Sequence, residues 1–150
     1  LVEDCIELWP SIESDSVDFV LGLAGLHHSE NQQSTVNEAY RVLKSGGYFA
    51  VCDVIDGSHV ADWLNNYVHR NNPNGHVGDF LSPGEVSKMM QYTGFQGVQE
   101  SIENVPWVLE DENQLAIFFK GLFGLELTMA EIKNNIISNN LVFKIFIFFM

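Results

Sequence analysis

Val17-Asp18-Phe19-Val20-Leu21-Gly22-Leu23-Ala24, then Thr35-Val36-Asn37-Glu38-Ala39-Tyr40-Arg41-Val42-Leu43-Lys44, then Tyr48-Phe49-Ala50-Val51-Cys52-Asp53-Val54-Ile55 is the stretch whose reading decides the fold. The two outer segments are nearly continuous apolar runs, the mark of strands buried on both faces of a parallel sheet. Between them Val36, Ala39, Tyr40 and Leu43 recur at helical spacing. Thr35 and Glu38 form a capping-box pair, Lys44 falls in the last turn and Gly46 ends the helix. Strand, helix and strand within about forty residues make a βαβ unit, and such units build parallel sheets.

Outward from this unit the pattern continues. Val60, Trp63, Leu64, Tyr67 and Val68 describe an amphipathic helix, and residues 71–79 form a loop dense in Asn and Gly. Ser82-Pro83-Gly84-Glu85 opens a helix that stops at Gly94, with Phe95 placed for the apolar contact of a glycine cap. Residues 98–105 read as a weaker strand, 112–123 and 130–137 as helices, the latter behind the box Thr128 to Glu131, and 141–149 as a last strand. The acidic run Glu110-Asp111-Glu112 suits a helix N-terminus. Phe118, Phe119, Leu122, Phe123 and Leu125 read as an apolar face packing a lid or sheet. The expected fold class is α/β, a Rossmann-like doubly wound and mostly parallel sheet, with residues 1–56 on the cofactor side and 57–150 on the acceptor side, completing the sheet.

Composition narrows the function. The chain has 150 residues, enough for one ordinary domain, and is 46% hydrophobic, which excludes wholesale disorder. The formal charge is -13 and no Lys or Arg precedes Arg41. Such a surface repels phosphate backbones and anionic lipid, so neither nucleic acid nor membrane is expected as a partner. The densest apolar stretch, 141–150, is too short to span a bilayer and contains Lys144. Cys5 and Cys52 lack paired spacing, which reads as a reduced, cytoplasmic protein. Composition does not fix the oligomeric state.

The segment Asp18-Phe19-Val20-Leu21-Gly22-Leu23-Ala24-Gly25-Leu26-His27-His28, followed by Arg41-Val42-Leu43-Lys44-Ser45-Gly46-Gly47, resembles the class I S-adenosylmethionine-dependent methyltransferases, of the kind acting on small molecules. Ser45 stands where members usually carry Pro. The likeness is close over residues 3–56 and holds elsewhere only in the order of elements. It implies S-adenosylmethionine as cofactor and a small-molecule methyl acceptor. Glu3-Asp4-Cys5-Ile6-Glu7-Leu8 looks like the family's "GDAExLPF" turn, with Trp9-Pro10 departing from its Pro-Phe. There Asp4 would accept from the adenine amine and the Cys5 backbone would meet the ring. By the same resemblance Gly22, Leu23 and His27 are expected to contact the cofactor.

Physical arguments stand beside the resemblance. Open α/β sheets bind ligands at the carboxyl ends of strands, here residues 22–28 and 53–57. Gly22 and Gly25 permit close approach of backbone to ligand, or simply tight strand–helix packing. His27 and His28, adjacent in extended chain, should point to opposite sides, and no ligand spacing supports a metal. His28 is expected to face the acceptor, as are Tyr67 and the loop residue His76; a bonded or exposed histidine is the plainer alternative. No residue is assigned as catalyst. Asn74, Gly75 and Gly78 suggest a loop mobile enough to close over a ligand.

Tyr40 and Lys44 spell Y-x-x-x-K, the pair of short-chain dehydrogenases, but Tyr40 falls on the apolar stripe and reads as core. A nicotinamide oxidoreductase would rest on those two residues alone. No G-x-G occurs in the sequence and residue 1 is Leu. The expectation is therefore a C-terminal portion lacking the glycine-rich first-strand loop, with residues 17–23 at an exposed sheet edge. The alternative is a non-catalytic remnant or interaction module of the same fold.

Overall fold

In a computed structural model the structure describes residues 3–105, 109–139 and 144–149. The chain divides into two compact units. The first comprises 1–56, 79–103 and 145–150, and the second 57–78 and 104–144.

The first unit holds the βαβ core. Strand β1 (Val17–Leu23) leads through a 3-10 turn (Leu26–His28) to helix α1 (Gln32–Val42) and strand β2 (Leu43–Val54). β1 and β2 pair in parallel, as the sequence implies. The last strand, β4 (Lys144–Phe149), runs antiparallel to β2, and the sheet order is β1-β2-β4-β3, with β3 at Gln99–Asn104. The expected final strand is thus present from Lys144, its first residues 141–143 lying outside the described ones.

β1 departs from the expected burial. It is the edge of the sheet, and Phe19, Leu21 and Leu23 are 53%, 61% and 68% exposed. The edge position is the one expected for residues 17–23. The exposure is that of one face, because Phe19, Leu21 and Leu23 alternate along the strand and share the side that no layer of the described residues covers. β2, paired on both sides, buries Phe49, Ala50, Val51 and Val54 as a central strand should.

α1 begins earlier than its sequence suggests. Asn31 caps it, accepting from Ser34 N at 3.2 Å, so Thr35 lies inside the helix and Glu38 is free for another task. The helix also stops earlier, at Val42, and Lys44 pairs with Asp18 at 2.9 Å. Between the pairs Val17–Leu43 and Phe19–Tyr48, β2 spans five positions against two in β1, and this bulge absorbs Ser45, Gly46 and Gly47. Tyr40 is not core: it is 46% exposed, set edge-on to Phe95 at 4.9 Å. Because the helix ends before Lys44, Tyr40 and Lys44 share no helix face. The Y-x-x-x-K spacing is a coincidence of sequence.

Helix α4 (Glu85–Thr93) packs on α1, with Gln33 Nε2 donating to Thr93 Oγ1 at 2.8 Å. Its cap falls two residues past the expected Ser82, at Gly84 with φ +87, while Ser82 N still donates to Glu85. It ends at Gly94 (φ +117) with Phe95 buried beside it, as the sequence implies. Val36, Ala39, Val51, Val86 and Met90 form the centre of this unit's core.

The second unit is helical. α2 (His59–Trp63) runs on through a π turn (Leu64–Val68) into α3 (His69–Asn71), and α5 (Glu112–Leu122) packs on α6 (Met129–Asn139). Asp111 caps α5, accepting from Asn113 N and Gln114 N, and the Thr128–Glu131 box closes on α6, both as read from the sequence. Trp63 is buried edge-on to Phe119 and Phe123, and its Nε1 donates to Asn135 at 2.7 Å. Of the apolar face read on α5, Phe119 is buried, while Phe118 and Leu122 are 41% and 53% exposed.

Candidate functional site

β1 leaves the sheet at Ala24, whose N–H still bonds Cys52 O at 2.8 Å but whose φ is +48. An L-residue in that left-handed conformation costs about 1–2 kcal/mol. Strain of this kind persists only where surroundings impose it, and it gathers at functional turns. The turn that follows is anchored from both sides.

Asp53, near the end of β2, is the main anchor. Buried at 6% exposure, it accepts from His27 N at 3.0 Å, from His27 Nδ1 at 2.6 Å and from Val54 N at 2.7 Å. A carboxylate only accepts, so His27 carries its proton on Nδ1 toward Asp53. His27 O in turn receives Asp79 N at 2.8 Å, and Gln32 Nε2 donates to Asp79 O. On the other flank Glu7 Oε1 accepts from Ser29 Oγ and from Glu30 N, each at 2.8 Å. Those bonds, the Ser29 hydroxyl foremost, hold the Glu7 carboxyl below its ordinary value.

The two histidines do not point to opposite sides. The chain here is a 3-10 turn rather than extended, and the rings lie 4.1 Å apart, with Phe80 at 4.6 Å from His27. His27 is buried and His28 is at the surface. Partial desolvation of this half-covered ring first, and then the neighbouring His27, lower the His28 pKa from its ordinary value. Burial, followed by the charge of Asp53, raises the Cys52 thiol, which stays protonated. A cavity of about 10 Å³ lined by Leu26, His27, Asp53 and Asp79 admits at most one water and no ligand.

The other predicted residues lie as follows. Asp4 accepts from Ser11 N at 3.2 Å and Ser11 Oγ at 3.0 Å, and lines a hollow of about 350 Å³ with Trp9, Phe19 and Val20. Each carboxylate oxygen keeps a second lone pair for a ligand donor. Cys5 is exposed, its thiol donating to Glu7 at 3.2 Å. Gly22 has a packing reason to be Gly, since a Cβ there would stand 3.2 Å from Val51 Cγ2. Leu23 is exposed beside it.

In the helical unit, Tyr67 stacks on Trp63 at 5.4 Å, and its buried hydroxyl has no hydrogen-bond partner among the described residues. Burial and the charge of Glu131 raise its pKa. His76 is half-buried, its N–H donating to His69 Nδ1 at 3.1 Å. The loop around it is tied down. Asn65 makes a reciprocal pair with Gly78, and Asn72 accepts from Asn74 N and Gly75 N. Closure over a ligand would have to break these bonds.

Sequence reasoning missed Asp53 and Glu7 as site residues. For Asp53 the signal was available: a lone acid in an otherwise apolar strand must find donors when buried. Nothing in the sequence marks Glu7 among its acidic neighbours.

A parallel strand pair with an anchored, strained turn at its carboxyl end defines the class of open α/β ligand-binding domains. Within that class the chain carries part of the fold of class I S-adenosylmethionine-dependent methyltransferases, and residues 1–51 match the methyltransferase domain family. A SAM-dependent methyltransferase of Thermotoga maritima is 23% identical with a TM-score of 0.56, over 69% of this chain and 49% of its own. The YcgJ protein of Bacillus subtilis is 19% identical with a TM-score of 0.67, over 97% and 68%. Phosphoethanolamine N-methyltransferase 2 of Haemonchus contortus, solved with phosphomonomethylethanolamine and S-adenosylhomocysteine, is 18% identical with a TM-score of 0.57, over 92% and 34%. The chain thus spans about half the length of the first of these. No curated protein sequence matches it.

Proposed function

We propose that the chain binds S-adenosylmethionine and serves the transfer of its methyl group to a small-molecule acceptor. The observation that carries this reading is the turn after β1, strained at Ala24 and held by Asp53 and Glu7 where open α/β sheets take their ligands. The family match over residues 1–51 supports the choice of cofactor. Asp4 offers a carboxylate at an apolar hollow, which suits an adenine amine and ring, and Cys5 follows it in the chain. Gly22, Leu23 and His27 would hold the remainder along the strand exit.

When bound, the cofactor supplies an electrophilic methyl group on a sulfonium. The chain's own part is to bind, orient and, for a protonated acceptor, take a proton. His28, neutral and at the surface, has the protonation state for facing such an acceptor. Tyr67 and His76 remain candidates for acceptor contact on the strength of the sequence alone. A reduced, cytoplasmic setting goes with the two free cysteines, and no helix among the described residues is long and apolar enough to cross a membrane.

The test is a backbone-amide map by heteronuclear NMR during titration with S-adenosylmethionine. Shifts centred on Cys5 and on residues 22–28 support the reading. Shifts confined to other parts of the chain would overturn the assignment of this site.

A further inference from the structure

We infer that two carboxylates outside the predicted contacts, Asp53 and Glu7, are positioning residues that set the conformation of the strand-exit turn and thereby its affinity for S-adenosyl ligands. The inference rests on the function proposed above and adds the residues through which the turn is held.

A single 3-10 turn has no cooperative stability of its own, so its shape must be imposed from outside. Here it is imposed from two remote points of the chain. Asp53, 26 residues away, binds both the backbone and the ring of His27. Glu7, 23 residues from Glu30, binds that residue's backbone N–H and the Ser29 hydroxyl, which also meets Thr35 Oγ1 at 3.0 Å. The two anchors bracket His28, whose own side chain is at the surface. Removing either frees one side of the bracket while every residue predicted to contact the ligand stays in place.

The chemistry of each anchor makes a distinct demand. Asp53 accepts only, which fixes the proton of His27 on Nδ1. Asn at this place would keep its oxygen for the ring and for Val54 N and turn its amide toward His27 N, a donor, so the bond to the turn's backbone is the one lost. Glu7 accepts from two donors at one oxygen, a demand that Gln would still meet and Ala would not. Elsewhere in the same unit Glu100 makes the same kind of contacts, accepting from Gly84 N at 2.8 Å and Ser87 Oγ at 2.6 Å, and it supplies a matched control.

The experiment compares the unaltered chain with Asp53→Asn, Glu7→Ala and Glu100→Ala, measuring S-adenosylhomocysteine affinity by calorimetry and the melting temperature of each. Asp53→Asn and Glu7→Ala should each weaken binding by about tenfold or more. Glu100→Ala should lower the melting temperature comparably and leave affinity within about twofold. Unchanged affinity in both anchor variants, or an equal loss in Glu100→Ala, would overturn the inference while the methyltransferase reading stands. An unaltered chain that does not bind S-adenosylhomocysteine would overturn that reading, and this inference with it.

Discussion

Glu38 and Arg41, one turn apart on α1, grip the same loop from below. Glu38 Oε2 accepts from Trp9 N at 2.8 Å, while Arg41 donates to Trp9 O at 2.8 Å and to Ile12 O at 3.0 Å, and the two side chains pair at 2.9 Å. The Arg of the "RVLK" segment is therefore a staple for the loop that carries Asp4. Arg41→Met should lower the melting temperature and broaden the amide resonances of residues 9–14. Sharp, unshifted resonances there would remove the staple role.

The carboxylates that brace this unit also set its acid limit. The pKa of Glu7 is lowered chiefly by the Ser29 hydroxyl and that of Glu38 chiefly by Arg41, both from an ordinary 4.5. A depressed carboxylate contributes stability above its unfolded pKa and loses it as pH falls through the folded one. Thermal melts from about pH 7 down to about pH 3 should show stability flat at first and then falling below pH 4.5. Glu7→Gln should flatten that fall, and an unchanged profile would contradict the assigned linkage.

Helix α4 owes its end to Gly94. With φ at +117 and the Tyr40 hydroxyl 3.3 Å from where a Cβ would sit, Ala is both strained and crowded there. Gly94→Ala should cost about 1–2 kcal/mol in chemical denaturation. Met90, fully buried in the same helix, should cost about 2–5 kcal/mol as Ala.

Much of this was legible in the sequence. The βαβ unit, the glycine stop at 94 and the Thr128–Glu131 box follow from periodicity and capping alone, because those signals are local. What failed was non-local. An apolar run such as 17–23 reads as buried on both faces whether or not another layer covers it; its place at the sheet edge is the expected one, its bare face is not. Tyr40 sits on the apolar stripe of α1, yet the partners packed against that helix leave it half uncovered. At the site, the bonds from Asp53 and Glu7 join residues more than twenty positions apart and have no local signature, and the paired histidines, read as pointing to opposite sides, share a 3-10 turn instead.

The bare face of β1 carries its own expectation. Leu21 and Leu23 stand exposed on an edge strand, a template for pairing with other chains. Sedimentation at rising protein concentration should show association that Leu21→Lys suppresses. Concentration-independent sedimentation of the unaltered chain would show that the edge is blunted in solution.

The central claim is that this chain binds S-adenosylmethionine. Equilibrium dialysis against the labelled cofactor, with S-adenosylhomocysteine as competitor, tests it most directly. The account predicts saturable binding tighter than about 0.1 mM, near 5.5 kcal/mol, displaced by the competitor and weakened by Asp4→Ala. No retention of label at millimolar cofactor, with the chain shown to be folded, would contradict it.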